Sequence, residues 1–417
     1  MDRDLLVSLF RAAVAAADPT RAIAANLPPL PQGRTVVVGA GKASAQMALA
    51  FELAWGRPLE GLVVTRYGHG APTERIEIVE AGHPVPDEAG YLAARRMMGR
   101  VHGLGPDDLV VALISGGGSA LLPAPGPGMS FEDEQAVNRA LLASGAPISV
   151  MNVIRNELSG IKGGRLAALA HPAPVATLVV SDVPGDNPAL VASGPTVPMA
   201  SSHAEARHLV ALCNLALPQA ALDLLASGQN LPPRPDDPRF ARNTVRVIAS
   251  AALSLEEAAE AARRQGLVAH ILSDAVEGES RDVAQVMAAM AREMHLRDRP
   301  FGRPSILLSG GETTVTLKGK GRGGRNAEFL LAFALAIEGI DGITALAADT
   351  DGIDGTETNA GAVADGGSAS RMRAAGIDPR AALASNDAYT AFAAIGDLVV
   401  TGPTGTNVND FRAILVR

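Results

Sequence analysis

The stretch that decides the fold is residues 34–44, RTVVVGAGKAS, an aliphatic run followed by two closely spaced glycines, a lysine and a serine. Three consecutive valines predict a buried strand, and the glycines allow a sharp turn into a helix. Aliphatic runs at 61–65, 109–114 and 177–180 are likewise followed by turns and by segments long enough for helices. The alternation predicts βαβ units and a Rossmann-like, mostly parallel sheet flanked by helices.

The chain of 417 residues is too long for one ordinary hydrophobic core, so we expect two domains. Further short strands are predicted at 306–308 and 344–347, which indicates a second, smaller α/β domain. Four prolines between 231 and 238 cannot continue a helix or a central strand, and they favour a linker. We therefore predict an N-terminal Rossmann-like domain over 1–235 and a C-terminal α/β domain over 236–417.

Two helices are predicted outside the strand regions already named. Residues 4–17 have the apolar spacing of an amphipathic helix. Ser254 and Glu257 have the spacing of a capping box, and Gly266 is a suitable residue to end the helix that this box would start.

Composition narrows the classes of protein. Hydrophobic residues make up 47% and charged residues 19%, which excludes a disordered chain. The net charge of −8 argues against a nucleic-acid binder. A single cysteine allows no internal disulfide, and no apolar run approaches the roughly 18 residues of a membrane span. We expect a cytoplasmic protein without nucleic-acid or membrane partners, and the sequence leaves open whether it forms a homo-oligomer.

Two glycine-rich turns are candidates for anion binding. Ser115-Gly116-Gly117-Gly118-Ser119 follows a predicted strand, and Gly41-Lys42 follows the first one. Backbone N–H groups of such turns can bind phosphate, and Lys42 adds a positive charge. A tight turn or a flexible loop is the structural alternative. The Gly41-Lys42 turn is not a P-loop, because Val36 stands where a P-loop has its first glycine. It also departs from a dinucleotide fingerprint, because Ser44 stands at the position of the third glycine.

Clustered acidic residues follow two other predicted strands. Asp182 and Asp186 lie in 181–186, and Asp349 and Asp351 lie in 348–355. Carboxylates at strand ends suit Mg²⁺, which takes one or two of them together with phosphate oxygens and water. Hydrogen-bonded Asx turns are the alternative for each segment.

Basic residues mark two further segments. Arg155, Ser159 and Lys162 stand at i, i+4 and i+7 and would share one helix face, which is either a site for a carboxylate or polyphosphate or simply a solvated face. In the second domain, Glu312 follows two glycines, and Arg325 follows a basic, glycine-rich run at a predicted helix start. His69, His83 and His102 lie in or near loops, where a structural role is the usual one. The sequence has no zinc-ligand spacing and no G-x-S-x-G elbow.

Taken together, these motifs resemble the class II glycerate kinases, whose C-terminal domain is called MOFRL. The resemblance covers nearly the whole chain in order and is weakest around 200–250. The matching segments are 38–44 (VGAGKAS), 64–70 (VTRYGHG), 81–87 (AGHPVPD), 114–121 (ISGGGSAL), 158–165 (LSGIKGGR), 181–195, 308–313 (LSGGET), 323–328 (GGRNAE), 349–355 (DTDGIDG) and 401–410 (TGPTGTNVND).

The resemblance implies ATP- and Mg²⁺-dependent phosphorylation of D-glycerate to 2-phosphoglycerate. The family's active-site lysine falls on Lys42 and its arginine on Arg325, which we take as catalytic candidates. Some relatives carry an older label, so an NAD(P)H-dependent hydroxypyruvate reductase is the alternative enzyme. A non-catalytic protein that binds phosphorylated metabolites is the alternative outside enzymes.

Each candidate residue then has an expected role. Phosphoryl transfer needs positioning and charge neutralisation more than covalent chemistry. A carboxylate, Glu312 or one of the aspartates, would take the proton of the substrate hydroxyl. The expected nucleotide-binding residues are Gly41, Ser115, Gly116, Gly117, Gly118, Ser119 and Lys162. The expected substrate-binding residues are Arg155, Glu312 and Arg325, and the expected Mg²⁺ ligands are Asp182, Asp186, Asp349 and Asp351.

Overall fold

The computed structural model describes residues 2–417, apart from the side chains of residues 148 and 149. The chain forms two compact units. The N-terminal unit is Pro19–Ile248, and the C-terminal unit combines residues 2–18 with Ala249–Arg417. Each unit contains a six-stranded sheet with helices, so the predicted α/β fold is confirmed.

The sheet of the N-terminal unit has the strand order β3-β2-β1-β4-β5-β6. Its strands are β1 Thr35–Ala40, β2 Glu60–Arg66, β3 Ile76–Ala81, β4 Leu109–Ser115, β5 Val175–Val180 and β6 Thr244–Ala249. The pairs among β1 to β5 are all parallel, as predicted. Because the chain winds outward in both directions from β1 and β4, these neighbours form the topological switch point, where open sheets bind ligands.

Burial explains which strands the sequence revealed. Every residue of β1, β4 and β5 is buried, and both faces of a covered parallel sheet require continuous aliphatic runs. The edge strands β3 and β6 mix charged or exposed residues with aliphatic ones. They were not predicted because an edge strand with an exposed face lacks the continuous aliphatic signal.

Seven helices of the N-terminal unit contribute to two of its hydrophobic clusters. Helices α4, α5 and α8 contribute buried residues to the core against the sheet, whereas α6, α7, α9 and α10 form a separate cluster. The helices are α2 Pro19–Ala24, α3 Ser44–Trp55, α4 Glu88–Val101, α5 Gly118–Leu121, α6 Phe131–Ser144, α7 Ile148–Leu158, α8 Arg165–Ala170, α9 His203–Leu212 and α10 Gln219–Ser227. Short 3₁₀ turns cover Pro184–Asp186, Val191–Ser193 and Pro238–Phe240.

The main sheet of the C-terminal unit is mixed, with the order β13-β12-β11-β14-β9-β7. Its strands are β7 Val268–Ser273, β9 Ser305–Gly311, β11 Ile343–Asp349, β12 Gly361–Asp365, β13 Leu398–Val399 and β14 Asp410–Val416; β8 Gly278–Glu279 and β10 Thr313–Thr314 form a separate pair. β14 pairs antiparallel with both β9 and β11. Only the strands at 306–308 and 344–347 were predicted, and both are confirmed.

Helices pack against this sheet in two clusters. Helices α1 and α11 supply one cluster, in which Leu6, Leu9 and Phe10 are fully buried. Helices α12 to α16 supply the other. The helices are α1 Asp2–Ala16, α11 Ala251–Arg264, α12 Ser280–Arg297, α13 Arg325–Ala336, α14 Ser368–Ala374, α15 Pro379–Ala384 and α16 Ala388–Ala394. Within residues 2–417, no helix is both long and apolar enough to cross a bilayer.

The start of α11 differs from the prediction. Ser250 is the N-cap, and its hydroxyl accepts the backbone N–H of Leu253, so the predicted capping box of Ser254 and Glu257 is wrong. Ser254 instead lies buried inside the helix, because β6 runs almost directly into α11 and the helix begins four residues earlier. Gly266, with φ of 78°, follows the end of the helix as predicted.

The division of the chain also differs from the expected boundary. The compact units separate after Ile248, because β6 lies beside β5 in the N-terminal sheet. The first helix belongs to the C-terminal unit, which sequence order alone does not indicate. The domain boundary between residues 235 and 236 stays a prediction.

Candidate functional site

The turns after β1 and β4 lie side by side at the switch point of the N-terminal sheet. The backbone N–H of Lys42 donates to the carbonyl oxygen of Gly116 at 2.9 Å. The N–H of Ala43 donates to the Ser115 hydroxyl at 3.0 Å, and the Ser44 and Ser115 hydroxyls are also 3.0 Å apart. Ser115 is buried, and its side chain joins the two turns because its hydroxyl bonds to both Ala43 and Ser44. Its predicted contact with a nucleotide stays a prediction.

Two glycines make this close approach of the turns possible. Gly41 has φ of 139°, and a Cβ added to it would lie 2.1 Å from the Ser115 hydroxyl oxygen. A Cβ on Gly116 would lie 1.8 Å from a carboxylate oxygen of Asp182, the residue that follows β5 and Ser181. Any larger residue at either position would push neighbouring turns apart. The turns after three adjacent strands therefore converge.

Basic groups gather at the centre of the glycine turn. A Cβ on Gly117 would lie 3.1 Å from Nε2 of His83 and 3.2 Å from Cγ of Lys42. Burial, together with the nearby charges of Lys42 and Arg66, lowers the pKa of His83 to about 4. His83 is therefore a neutral imidazole at neutral pH. It was given a structural role from the sequence, and the available signal was its position in AGHPVPD, directly after a strand.

The other end of the glycine turn is held by a strained loop. The Ser119 and Ser193 hydroxyls are 2.7 Å apart, and Ser193 in turn donates to Oδ1 of Asn152 at 3.0 Å. Ser193 and its neighbour Ala192 have φ of 59° and 52°, conformations that side chains rarely adopt. A Cβ on Gly118 would meet Ala192 at 2.6 Å. The strained loop thus fixes where Ser119 and the turn lie.

The surroundings of Asp182 and Asp186 indicate whether these aspartates could bind Mg²⁺. Asp182 lies against Gly116, so its carboxylate borders the glycine turn, and one carboxylate with phosphate oxygens and water is a usual Mg²⁺ environment. Asp186 ends a 3₁₀ turn with φ of 52° and is half-buried. The donor chemistry of Asp182 fits the ion. Across the described chain, no three His, Cys, Asp or Glu residues form a group that could hold a metal by themselves.

The predicted basic helix face is wrong. Helix α7 ends at Leu158, Ser159 is its C-cap, and Lys162 lies in the turn beyond it. Ser159 terminates the helix because its hydroxyl accepts the backbone N–H groups of Ile161 and Lys162.

The two basic residues of this region face other side chains. Lys162 is buried, and its Nζ lies 3.1 Å from a carboxylate oxygen of Glu134. Nε of Arg155 donates to Asn138 at 3.1 Å. Burial lowers the pKa of both basic groups, and Glu134 opposes that effect. Contacts of Lys162 with a nucleotide and of Arg155 with substrate stay predictions.

In the C-terminal unit, Arg325 is the centre of a charged cluster. Nε lies 2.8 Å from Asp410, Nη2 lies 2.7 Å from Asp349 and Nη1 lies 2.6 Å from Glu312. Burial by itself lowers the pKa of the guanidinium, but Asp410, Asp349 and Glu312 together raise it above its usual value. Arg325 is positioned at the first residue of α13, and its partners come from the ends of β9 and β11 and the start of β14. We call these four residues the arginine cluster.

The aspartates of this unit do not fit a metal in the observed arrangement. One oxygen of Asp349 contacts Arg325, and the other accepts the backbone N–H of Asp351 at 3.0 Å. Oδ1 of Asp351 accepts the N–H of Ile353 at 2.8 Å, as in an Asx turn. Burial, followed by the charges of Asp351 and Asp410, raises the pKa of Asp349 well above its usual value. We therefore derive no step from a metal bound here.

Sequence reasoning missed the residues that support Arg325. Asp410 also accepts Asn326 Nδ2 at 2.8 Å and Arg412 Nη2 at 2.6 Å, and the side chains of Asp410 and Arg412 are 0% exposed. Burial lowers the pKa of Arg412, and Asp410 opposes this. The available signal was the pair of opposite charges two residues apart in the otherwise apolar strand DFRAILV, since such residues share a strand face.

The start of α13 has one more buried acid. The carboxylate of Asp354 accepts the backbone N–H groups of Asn326 at 3.0 Å and Ala327 at 2.8 Å. Burial nevertheless raises its pKa to about 6. A cavity of about 390 Å³ opens beside this helix start, within the volume range of small-molecule sites. Its lining includes Thr313, Thr314, Gly321, Gly323, Gly324 and Arg325.

Family models match both parts of the chain. The model described as "Domain of unknown function (DUF4147)" matches residues 5–226, more than half of the chain. The model described as "MOFRL family" matches residues 305–410.

Relatives cover nearly the full length. A protein of Agrobacterium vitis, provisionally named a hydroxypyruvate reductase, is 54% identical, over 99% of this chain and 94% of its own. The D-glycerate 2-kinase of Thermotoga maritima is 38% identical, over 98% of this chain and 97% of its own. A crystal structure of glycerate kinase from Thermotoga maritima superposes with a TM-score of 0.91 at 38% identity, over 100% of this chain and 99% of that one. The chain therefore belongs to the class II glycerate kinase family.

Proposed function

We propose that this chain is a glycerate 2-kinase, which transfers a phosphoryl group from ATP to the 2-hydroxyl of D-glycerate and yields 2-phosphoglycerate and ADP. The observation that carries the proposal is the full-length match, in fold and in sequence, to the glycerate kinase of Thermotoga maritima. The arrangement at the two candidate regions supports it in detail.

The N-terminal unit supplies the phosphate-binding part. Lys42 and the glycine turn of residues 115–119 lie at the switch point of a parallel sheet, where nucleotides bind in other open sheets. The N-terminus of the 12-residue helix α3 follows Lys42 directly and favours an anion. Lys42 would stabilise the negative charge that develops on the transferred group.

Mg²⁺ bound with ATP would neutralise charge on the phosphate oxygens. Asp182 is the residue whose position against Gly116 fits this role, and Asp186 lies four residues further along the same segment. We assign both to the cation and leave Asp349 and Asp351 out of its coordination.

The substrate hydroxyl must lose its proton during transfer. A neutral base within hydrogen-bond reach is suited to accept it. We assign this role to His83, because Nε2 borders Gly117 in the glycine turn and the imidazole is uncharged at neutral pH. The carboxylates of Glu312, Asp349 and Asp410, in contrast, are engaged with Arg325, whose planar guanidinium suits a carboxylate or phosphate oxyanion.

A coupled assay tests the proposal. Purified protein receives ATP, Mg²⁺ and D-glycerate with enolase, pyruvate kinase and lactate dehydrogenase, and without phosphoglycerate mutase. We expect NADH loss that requires both D-glycerate and enolase, because only 2-phosphoglycerate is an enolase substrate. ADP formation without enolase-dependent NADH loss would indicate another acceptor or another position of the phosphate, and no ADP at all would contradict the kinase.

The reductase is the second candidate, since a relative at 54% identity carries that provisional name. A dinucleotide-binding turn has a third glycine, which lets the following helix pack closely against the strand. That position is Ser44, whose hydroxyl is buried and bonded to Leu113 and Ser115. Oxidation of NADPH or NADH by hydroxypyruvate, measured in the same preparation, would favour the reductase.

A further inference from the structure

Each of the three nitrogens of the Arg325 guanidinium contacts a carboxylate. Nε faces Asp410, Nη2 faces Asp349 and Nη1 faces Glu312, at distances between 2.6 and 2.8 Å. The guanidinium has five N–H groups, and an oxyanion that binds in the place of one of these carboxylates must displace it. Leaving is also favoured by charge, because a fourth anion around one cation would be repelled.

The three carboxylates differ sharply in exposure. The side chains of Asp410 and Asp349 are 0% and 8% exposed, whereas that of Glu312 is 58% exposed. Separating a buried carboxylate from its partner leaves an uncompensated charge in a poorly hydrated place, which is strongly unfavourable. An exposed carboxylate moves into water at little cost, since such pairs contribute little free energy. Glu312 is the one that can leave.

Asp410 and Asp349 are also held by hydrogen bonds to groups other than Arg325. Asp410 accepts hydrogen bonds from Asn326 and from the fully buried Arg412. The second oxygen of Asp349 accepts the backbone N–H of Asp351. These bonds hold the Nε and Nη2 edges of the guanidinium in place, so its orientation does not depend on Glu312.

Space for an incoming group exists next to Arg325. The cavity of about 390 Å³ in the C-terminal unit is lined in part by Arg325 and by Gly323 and Gly324 just before it. Glu312 lies between Gly311, at the end of β9, and Thr313, which also lines the cavity. The cavity is therefore lined both by Arg325 and by the chain neighbour of Glu312.

We propose that Nη1 of Arg325 is the oxyanion-binding position of the C-terminal unit, and that Glu312 occupies it as a stand-in until the carboxylate or phosphate of a ligand replaces it. This inference rests on the proposed kinase activity for its kinetic test. Glu312 then acts as an internal competitor of the ligand. It keeps Arg325 paired in the free protein, and the need to displace it lowers the affinity for the ligand.

The test compares Glu312→Gln with the wild type. Glutamine keeps the size of the side chain and removes the charge that competes for Nη1. Glu293→Gln is the matched control, because Glu293 is an exposed partner of Arg297 and Arg299 in the same unit, away from the arginine cluster. KM is measured separately for D-glycerate and ATP, and binding of inorganic phosphate and of D-glycerate is measured by calorimetry without nucleotide.

We expect KM to fall about fivefold in Glu312→Gln, the scale of an exposed ion pair, and to stay unchanged in Glu293→Gln. A fall for D-glycerate alone would identify the substrate carboxylate as the exchanging oxyanion, and a fall for ATP alone would identify a nucleotide phosphate. Unchanged or higher KM for both, or a lower kcat at constant KM, would overturn the proposal.

The binding arm separates this proposal from the proposed function. If the wild type shows no kinase activity, tighter binding of phosphate or D-glycerate by Glu312→Gln still supports the exchange at Nη1. Equal or weaker binding of both probes by that variant overturns the exchange, whatever the activity of the wild type.

Discussion

The two candidate regions of the molecule are built in different ways. At the switch point of the N-terminal sheet, glycine backbone and short side chains bring three strand ends together around Lys42 and His83. In the C-terminal unit, the arginine cluster is made of long charged side chains that pair with one another. The first region presents a cation and a neutral imidazole, whereas the second presents a cation already paired with three carboxylates. In this protein, backbone shape would prepare oxyanion binding in the N-terminal unit, and side-chain exchange at Arg325 would prepare it in the C-terminal unit.

The largest effect is expected where the arginine cluster is buried. Arg412→Met removes one of the two arginines that pair with Asp410, a carboxylate that is 0% exposed. We expect a loss of about 3 kcal/mol, the lower end for a broken buried pair, because Arg325 still faces Asp410. Urea denaturation followed by far-UV circular dichroism measures the free energy of unfolding. Arg303→Met, which breaks an exposed pair with Asp298, is the control and should cost at most about 1 kcal/mol. Equal losses in the two variants would show that the buried pair contributes no more to the free energy of unfolding than the exposed pair.

The switch point is tested by Lys42→Ala. We expect kcat to fall about 10²-fold or more, because a charge partner of the transition state is lost while the fold is kept. Steady-state kinetics with ATP and D-glycerate measure the loss, and Lys42→Arg should recover part of it by restoring the charge. Near-normal turnover of the alanine variant would remove Lys42 from the mechanism.

A smaller effect is expected from Arg325→Lys. An ammonium group cannot reproduce the planar fork that meets three carboxylates, so kcat/KM should fall by about tenfold, the value of one charged hydrogen bond. The control is Arg322→Lys. Arg322 lies three residues before Arg325, is exposed, and pairs with Glu357. A fully active Arg325→Lys protein would contradict a role for the guanidinium in the reaction.

The pH dependence of stability should also differ between the two regions, with opposite signs. The pKa of His83 is lowered to about 4 on folding, so the unfolded state binds more protons between about 4 and 6.5 and stability rises with pH in that window. The pKa of Asp354 is raised to about 6, so the folded state binds more protons between about 4 and 6 and stability falls as pH rises.

Substitutions separate the two contributions. His83→Gln should flatten the pH dependence of the unfolding free energy between pH 4 and 7, and Asp354→Asn should steepen its rise over the same window. Denaturation of each variant at a series of pH values measures this. Parallel pH profiles of wild type and both variants would show that neither group titrates as inferred.

The difference between the regions also explains how far the sequence could be used. The glycine turns were recognisable because three glycines in a row weaken a chain unless its backbone needs them, and both turns follow aliphatic strands. Arg325 was placed at a helix start, but Asp410 and Arg412 were not assigned, since β14 reaches this region only through its pairing with β9 and β11. Lys162 was placed on a helix face that does not exist, because a serine cap ends α7 first.

The sequence by itself determined the α/β class, the central parallel strands and the turns that follow them, because buried strands and tight turns each require particular residues locally. Tertiary structure alone decided that the first helix joins the C-terminal unit and that β14 enters the middle of a mixed sheet. It also decided which carboxylates surround Arg325 and which of them remains exposed. The physical reason is distance along the chain, since strand pairing and burial join residues whose local sequence carries no sign of each other.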